Sequence, residues 1–376
     1  LAGLLAGGLL ATGLATGWWA VLRGPDLLTR TDNARRAIAD RYVPRGALLD
    51  RNGIPITVSD GSPGDYQRTY AYADLGPVTG YTHPVFGQSG LEAALDPYLR
   101  GLQGNPASLI WWDHLLYGQP PPGLDVRLSI DLDLQERADI LLGDHAGAVL
   151  LMNAASGEIL AMASHPNYDP GLLDELGDFL NQDPSAPLVN RAVQGRYPVG
   201  ELSGFFLEAA GRSEPIDGAA REILFAALGF YTSPDLRLPV APASEPGENL
   251  RLSPLQVALA ACAISNDGIR PAPRLATAVD TPEQGWVIMP PLSEPVQALQ
   301  AADAQILAER LLVSGEPFWQ WSGKAGGGEA TVTWYLAGTL PDWQAAPLTV
   351  VVLLEKDAPL SAGSIGRWLL QDTVEP

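Results

Sequence analysis

Two apolar runs separated by a four-residue turn constrain the fold of this chain more than any other feature. The run GAVLLMN at residues 147–153 is followed by the turn AASG, which ends at Gly157, and by the run EILAMAS at residues 158–164. Apolar runs of this length bounded by turn residues predict two buried strands, and so short a connection predicts that they form an antiparallel hairpin. Further along, a Pro-Val-Gly step at residues 198–200 predicts a tight turn that opens a helix.

The composition excludes one class of partner and offers no metal site. The 376 residues carry a net charge of −20, whereas phosphate binding requires clustered Lys and Arg, so nucleic acid is not an expected partner. The acidity is most simply a solubility feature. The single cysteine, Cys262, excludes internal disulfides and lies in an apolar run that predicts burial. His83 and His114 have no metal-ligand spacing to other His or Cys, so neither a metal nor a cofactor is expected.

The first 22 residues predict a membrane anchor. Residues 1–22 carry no charge, and as a helix they would span ~33 Å, enough for the hydrocarbon core of a bilayer. Two tryptophans near the end suit the membrane interface. Two Gly-x-x-x-Gly spacings, at residues 3–7 and 13–17, either allow close packing against another membrane helix or simply dilute an apolar anchor. A cleaved signal peptide is the alternative, but the run is long for one and no clear Ala-x-Ala site follows. Residues 29–39 predict a polar helix that continues from the anchor.

Three strings before residue 147 are more specific than any of their single residues. They are VPRGALLDRNGIPIT at residues 43–57, GYTHPVFGQSGLEAALDPYLRGLQG at 80–104 and VRLSIDLDLQERADILL at 126–142. The first predicts a hairpin around an Asn-Gly turn. The second predicts an amphipathic helix that begins at Gly90 and carries Glu92 in its first turn, where the helix dipole favours an acid. The third predicts a strand and then a helix capped by Asp131 or Asp133.

These strings resemble landmarks of the class B penicillin-binding proteins, in the order in which that family has them. The first two resemble "RG.I.DRNG" and "GY.G…G.SGLE..YD..L.G" of the pedestal domain, in which the acid at Glu92 belongs to the internal contacts. The third resembles "L.LTID..LQ..AE..L", the entry to the transpeptidase domain. The resemblance implies an α+β chain with a transmembrane helix at 1–22 and an extended β-rich pedestal at 23–125. It implies a transpeptidase-like domain at 126–376, built on a five-stranded antiparallel sheet flanked by helices, with the bulk of the chain on the extracytoplasmic side of the cell membrane.

Later segments continue the resemblance. They are ILFAALGFYTSPDLRLP at 223–239, LRLSPLQVALAACAISNDGIRPAP at 250–273, TVTWYLAGTLPDW at 331–343 and LTVVVLLEK at 348–356. The second of these predicts a long apolar helix that stops at Gly268, and the last predicts a strand. The chain closes with a predicted helix, SIGRWLLQDTV.

The resemblance fails at the position of the catalytic serine. The segment LVNRAVQGRYPVGELSG at 188–204 resembles "NRA…Y.PGS..K", which presents the acylated serine of the family at the start of a helix. The matching residues are Asn190, Arg191, Ala192, Tyr197, Pro198 and Gly200. The nucleophile position, however, is Glu201, and the lysine position is Gly204. Ser203 lies nearby, but the residue that would have to be its lysine is Phe206.

Neither of the other two catalytic elements of the family is intact. The sequence holds only two lysines, Lys324 and Lys356, and neither follows a serine by three residues, so no Ser-x-x-Lys exists. No Ser-x-Asn occurs between residues 204 and 223, where the resemblance would place it. The segment WSGKAGG resembles "..GKTGTA", the strand that in the family binds the peptide edge-on and helps to form the oxyanion hole. Its positions are Lys324, Ala325, Gly326 and Gly327 in place of Lys, Thr, Gly and Thr.

The pedestal and the anchor are predicted to be present, whereas the catalytic motif residues are missing. This combination favours a catalytically inactive homologue, not an enzyme. It would be a scaffold or regulator of peptidoglycan synthesis, cell division or cell shape. Its membrane helix and pedestal would pair with a polytopic peptidoglycan glycosyltransferase. The alternatives are an active D,D-transpeptidase that cross-links peptidoglycan with a rearranged active site, and a module that binds peptidoglycan stem peptides without reacting.

Three questions about the cleft follow from the sequence. Glu201 is a poor replacement for the serine, because acyl transfer to a carboxylate gives a mixed anhydride that water would destroy before an amine arrived. The sequence leaves open whether Lys324 pairs with an acid such as Glu201 across the cleft or is a solvated lysine on an edge strand. It also leaves open whether the cleft is filled by side chains such as Phe205 and Phe206.

Overall fold

The chain begins with an apolar helix whose residues are all exposed. The computed structural model describes residues 2–19, 41–110, 120–211, 218–247 and 249–374, and its first helix, α1, covers Ala2–Trp18. None of the helices in these ranges is long and apolar enough to cross a membrane. The end of the predicted anchor, residues 20–22, and the predicted polar helix at 29–39 lie outside the described residues, as does His114.

Within the described ranges, the strands fall into two larger sheets and three two-stranded ribbons. In chain order they are β1 (Leu48–Leu49), β2 (Pro55–Asp60), β3 (Gln67–Tyr70), β4 (Thr82–His83), β5 (Gly87–Gln88), β6 (Val126–Leu128), β7 (Gly147–Asn153), β8 (Ile159–His165), β9 (Tyr197–Pro198), β10 (Arg251–Leu252), β11 (Ile269–Arg270), β12 (Ala276–Thr281), β13 (Gly285–Ile288), β14 (Val296–Gln297), β15 (Phe318–Ala325), β16 (Val332–Thr339) and β17 (Leu348–Leu354).

The helices lie between and over these strands. After α1 they are α2 (Gly76–Thr79), α3 (Gly90–Ala94), α4 (Asp96–Leu99), α5 (Leu132–Leu142), α6 (Leu173–Gln182), α7 (Leu202–Ala209), α8 (Gly218–Ala227), α9 (Pro254–Ser265), α10 (Ala301–Arg310) and α11 (Pro359–Val374). Short 3-10 helices lie at Ala73–Leu75, Pro170–Leu172 and Gly328–Ala330.

The central sheet has five antiparallel strands in the order β15-β16-β17-β7-β8. Helix α9 packs on one face, and helices α11 and α5 pack on the other. Because both faces are covered, every residue of β8, β16 and β17 is buried, as expected for apolar runs without alternation. The predicted hairpin and the predicted five-stranded sheet flanked by helices are therefore confirmed.

Helix α9 shows why its sequence forms a helix. Ser253 and Gln256 form a capping box, in which each side chain binds the main chain of the other residue, and Pro254 stands in the first turn where its missing N–H costs nothing. All residues of the helix are buried, including Cys262. Gly268 adopts a φ of 79° just beyond the helix end, as the sequence predicts for the stop.

The pedestal sheet has six strands in the order β13-β12-β6-β1-β2-β3. The predicted hairpin around the Asn-Gly turn is present as β1 and β2, which pair antiparallel. Strand β6 lies parallel to β1 and antiparallel to β12, so strands from both sides of the predicted boundary at 125/126 share this sheet. The domain boundary itself stays a prediction.

Glu92 lies at the centre of a buried charge network in the pedestal. Its carboxylate Oε2 accepts from Nη2 of Arg45 at 3.0 Å, and its Oε1 accepts from Nη2 of Arg68 at 2.6 Å. Arg45 also reaches Asp96 through Nη1 at 2.7 Å. The predicted single helix from Gly90 is broken into α3 and α4, because Pro97 removes a main-chain donor and disfavours helical backbone just before it.

Candidate active site

The Asn-Arg-Ala segment before the cleft is held by hydrogen bonds of the Arg191 side chain. Its Nε donates to Glu355 Oε1 at 2.9 Å, and its two terminal nitrogens donate to the carbonyl oxygens of Ala186 and Ser185. The hydroxyl of Tyr197 donates to the same Glu355 oxygen at 2.7 Å. Burial and the Glu355 carboxylate raise the pKa of Tyr197, so the phenol stays protonated. These motif residues therefore fix the loop in place and supply no reacting group.

The turn into helix α7 is fastened to strand β16 and closed at a glycine. Trp334 donates from Nε1 to the carbonyl of Pro198 at 3.0 Å, and its ring meets that of Tyr197 edge-on. Gly200 has a φ of 47°, and a Cβ there would lie 2.5 Å from the carbonyl oxygen of Lys324. Only glycine tolerates both conditions. The next residue, Glu201, is thereby placed against the edge of β15.

Glu201 engages the main chain of Lys324 twice. Its N–H donates to the Lys324 carbonyl at 3.1 Å, and its Oε2 accepts from the Lys324 N–H, also at 3.1 Å. Strand β15 is the outermost strand of the central sheet, so these two groups of Lys324 point away from β16. The N–H at the nucleophile position is thus already used and is not free to stabilise an oxyanion.

The positions around Glu201 supply no base. A Cβ added at Gly204 would meet no atom within 4 Å, so the lysine position opens onto free space and has no side chain. Ser203 donates its hydroxyl to the carbonyl of Gly200 at 2.9 Å. Phe205 and Phe206 are both buried in the core, and Phe205 packs on Trp321 with 4.8 Å between ring centroids. The two phenylalanines therefore support the cleft from the core.

The side chain of Lys324 turns to a different acid from the one considered in the sequence. Its Nζ lies 2.6 Å and 2.8 Å from the two carboxylate oxygens of Asp357, and both side chains are about half exposed. Lys324 therefore lies on the edge strand, and its ammonium makes this ion pair while its main chain binds Glu201. The second lysine, Lys356, contacts His145, with 2.6 Å between Nζ and Nδ1. Neither lysine is placed beside a serine hydroxyl among these contacts.

The rest of the Lys-Ala-Gly-Gly segment adds no polar group. Ala325 is buried, and its Cβ would lie 2.6 Å from a Cβ built on Gly200. Gly326 has a φ of 81°. Gly327 is exposed, and a Cβ added there would meet no atom within 4 Å. In the described ranges, no three His, Cys, Asp or Glu side chains are grouped so that they could hold a metal ion.

Two functional neighbours were missed by the sequence analysis. Glu355 and Asp357 flank Lys356 just after the last apolar strand, where they bind Arg191 and Lys324 respectively. A pair of acids at the end of a buried strand was the only available signal. The arrangement brings together acids, amides and a lysine ammonium, but the part of the chain that the structure describes places no nucleophile beside a base there.

Comparisons with known proteins agree with this geometry. The family model described as "Penicillin binding protein A dimerisation domain" matches residues 45–126, and the model of the penicillin-binding protein transpeptidase domain matches residues 147–200. The second match ends at the residue before Glu201.

Curated relatives include two peptidoglycan D,D-transpeptidases. The chain is 33% identical to MrdA of Escherichia coli K12 over 178 residues, which cover 42% of this chain and 26% of that protein. It is 29% identical to PbpA of Mycolicibacterium smegmatis over 192 residues, which cover 47% of this chain and 39% of that protein. The chain thus spans between about a quarter and two fifths of the length of these relatives.

Solved structures share the fold. Penicillin-binding protein A from Mycobacterium tuberculosis, as a penicillin G acyl-enzyme complex, superposes with a TM-score of 0.76 at 20% identity and covers 89% of this chain and 100% of its own. The D,D-transpeptidase domain of a peptidoglycan glycosyltransferase from Eggerthella lenta gives a TM-score of 0.74 at 19% identity, with coverages of 89% and 99%. With both domain matches in the family's order and on the family's fold, the chain is a homologue of the class B penicillin-binding proteins.

Proposed function

We propose that this chain is a catalytically inactive penicillin-binding protein homologue that acts as a membrane-anchored scaffold or regulator of peptidoglycan synthesis or cell division. One observation carries the proposal. Glu201 occupies the position of the nucleophile, and its own N–H is hydrogen-bonded to the Lys324 carbonyl. The change affects both the group that attacks and the amide that would stabilise the resulting oxyanion.

The chemistry of acyl transfer supports the same conclusion. A serine needs a neighbouring base to lose its proton, and the lysine position, Gly204, has no side chain. Ser203 cannot take over the role, because its hydroxyl donates to a main-chain carbonyl and no lysine contacts it. An active enzyme with a rearranged site would need a nucleophile elsewhere, and no described contact supplies one.

Intact-mass spectrometry after incubation with penicillin G tests the proposal directly. The full chain in detergent is expected to gain no adduct. Penicillin-binding protein A from Mycobacterium tuberculosis serves as the positive control, because its structure is that of a penicillin G acyl-enzyme complex. A stoichiometric adduct on this chain would overturn the proposal, and mapping the modified residue would identify the nucleophile of the active alternative.

The proposed partner is a polytopic peptidoglycan glycosyltransferase. The support is the apolar N-terminal segment, whose described helix is exposed at every residue, and its two Gly-x-x-x-Gly spacings, which suit close helix packing in a membrane. The proposed location is the cell membrane, with the bulk of the chain on the extracytoplasmic side. The expected result is co-purification with such an enzyme from detergent extracts, reduced in a Gly13→Leu/Gly17→Leu variant. Recovery of no cell-wall membrane enzyme would count against the scaffold.

A further inference from the structure

The free edge of β15 is largely occupied by the chain itself. Hydrogen bonds from neighbouring segments show that the even-numbered residues of β15 turn their main-chain groups away from the sheet. At one end, residues 311–313 bind the carbonyl of Phe318 and the N–H of Gln320, at 3.1 Å and 3.2 Å. At the other end, Glu201 binds both groups of Lys324. Among the described residues, Ser322 is the one of these four positions at which neither main-chain group on this edge has a partner.

The contact of Glu201 with Lys324 has the form of a strand pair. In an antiparallel ladder, one residue of the incoming strand gives an N–H and receives an N–H from the same residue of the edge strand. Glu201 gives its N–H to Lys324 and receives the Lys324 N–H on its side-chain oxygen. An extended peptide that adds to this edge must use the same two groups. Glu201 and such a peptide therefore compete for Lys324.

Two glycines and two aromatic rings allow this contact. A Cβ on Gly323 would lie 2.9 Å from Glu201 Oε2, and a Cβ on Gly200 would lie 2.5 Å from the Lys324 carbonyl oxygen. Either side chain would push the carboxylate or the turn off the edge. The ring of Trp321 lies against Gly323 on the same side as the carboxylate, and Phe205 packs on that ring from the core.

We infer that Glu201 is an internal occupant of a strand-binding edge on β15, which keeps the edge closed to an extended peptide until the carboxylate is displaced. The ligand class is a peptide in extended conformation with main-chain donors and acceptors free to pair with Ser322 and Lys324. The inference rests on the proposed function, because it assigns regulated, non-reactive binding to the same cleft. A serine at position 201 could not play this role, since its side chain is shorter and carries no carboxylate to accept the Lys324 N–H.

The test compares the full wild-type chain with Glu201→Ala and Glu201→Gln in detergent. The probe is diacetyl-L-lysyl-D-alanyl-D-alanine, and the readouts are its dissociation constant and the exchange rate of the Lys324 amide measured by NMR. In Glu201→Ala, the Lys324 amide is expected to exchange roughly tenfold faster, since a hydrogen bond to a charged acceptor is lost. The peptide is expected to bind at least about tenfold more tightly than to wild type, because the carboxylate that competes for the Lys324 N–H has been removed.

Glu201→Gln is the matched control, because it removes the charge and keeps an oxygen that accepts the Lys324 N–H. It is expected to remain within about threefold of wild type in both readouts. Equal Lys324 exchange in wild type and Glu201→Ala would overturn the inference, and so would peptide binding that Glu201→Ala does not strengthen. Binding by Glu201→Gln as tight as by Glu201→Ala would also overturn it, because repulsion of an anionic peptide would then be the cause. A penicillin adduct on wild type would instead refute the proposed function, so the two failures are distinct.

Discussion

Glu92 in the pedestal and Lys324 in the cleft are both charged residues that match family motifs, but Glu92 is buried and Lys324 is exposed. Glu92 is fully buried between two arginine side chains that are 3% and 6% exposed. Lys324 and Asp357 are 45% and 55% exposed, and Glu201 is exposed as well. Glu92 has several charged partners in the pedestal, whereas the ammonium of Lys324 has one in the cleft, Asp357. The cleft can therefore differ from its family without loss of the fold.

The largest expected effect comes from breaking the buried network with Glu92→Ala. The change removes the carboxylate that two buried guanidinium groups share. Arg45 keeps Asp96, but Arg68 loses the acid that it binds, so the free energy of unfolding should fall by ~3–5 kcal/mol. The measurement is urea unfolding of the full chain followed by circular dichroism. The control is Glu208→Ala, which removes an exposed partner of Arg310, both side chains being 54% exposed, and should change the stability by less than ~0.5 kcal/mol. Similar losses in the two variants would refute the contrast between buried and exposed charges.

A smaller effect on stability is expected from His165. This residue is buried, like Glu92 of the pedestal, but lies at the end of β8. Its Nδ1 lies 2.7 Å from the carbonyl of Gly143, which only accepts, and its Nε2 lies 3.0 Å from an oxygen of Asp139. The other oxygen of Asp139 accepts from the hydroxyl of Tyr72 in the pedestal. Burial lowers the pKa of His165. The hydrogen bonds to Asp139 and Gly143 and the nearby charges of Asp139 and Asp74 together outweigh burial, so the pKa is raised above its ordinary value.

The raised pKa fixes the sign of the pH dependence. Stability from the charged imidazolium is fully present below about pH 6.5, the unfolded value, and is lost as the pH rises through the folded pKa. The stability of wild type to thermal unfolding should therefore fall above that pH. His165→Gln should lose about 1–3 kcal/mol of stability at low pH, and its stability should depend less on pH. Ser203→Ala, which removes a hydroxyl and no titrating group, is the control and should keep the wild-type profile. An unchanged profile in His165→Gln would show that His165 is not the titrating group.

Much of the fold follows from local sequence. The apolar runs of β7 and β8 lie next to each other in the chain, and so do the Asn-Gly hairpin of β1 and β2 and the cap of α9, so short-range patterns predict them. The pairing of β12 with β6 joins residues about 150 positions apart and has no local signal. The break between α3 and α4 could have been found, because Pro97 marks it.

The candidate site shows the same division. The sequence identifies the positions that depart from the family motif, because Glu201 and Gly204 stand where the motif has serine and lysine. It does not predict what those residues do instead. The Glu201 contact depends on a positive φ at Gly200 and on space at Gly323, and the ion pair of Lys324 depends on how β17 ends. Such contacts are set by tertiary packing, which a local pattern does not encode.

The smallest effect is expected in the cleft itself, from Lys324→Ala. Its ion pair with Asp357 is half exposed, so removal of the side chain should change the free energy of unfolding by less than ~1 kcal/mol. The main-chain contacts with Glu201 do not involve the lost side chain, so the exchange rate of the residue 324 amide should stay within about threefold of wild type. Asp357→Ala should match it, and the double variant should show a coupling energy below ~0.5 kcal/mol. A loss above ~2 kcal/mol would mean that the cleft, like the pedestal, depends on its charges for the fold, and the contrast between the two regions would then fail.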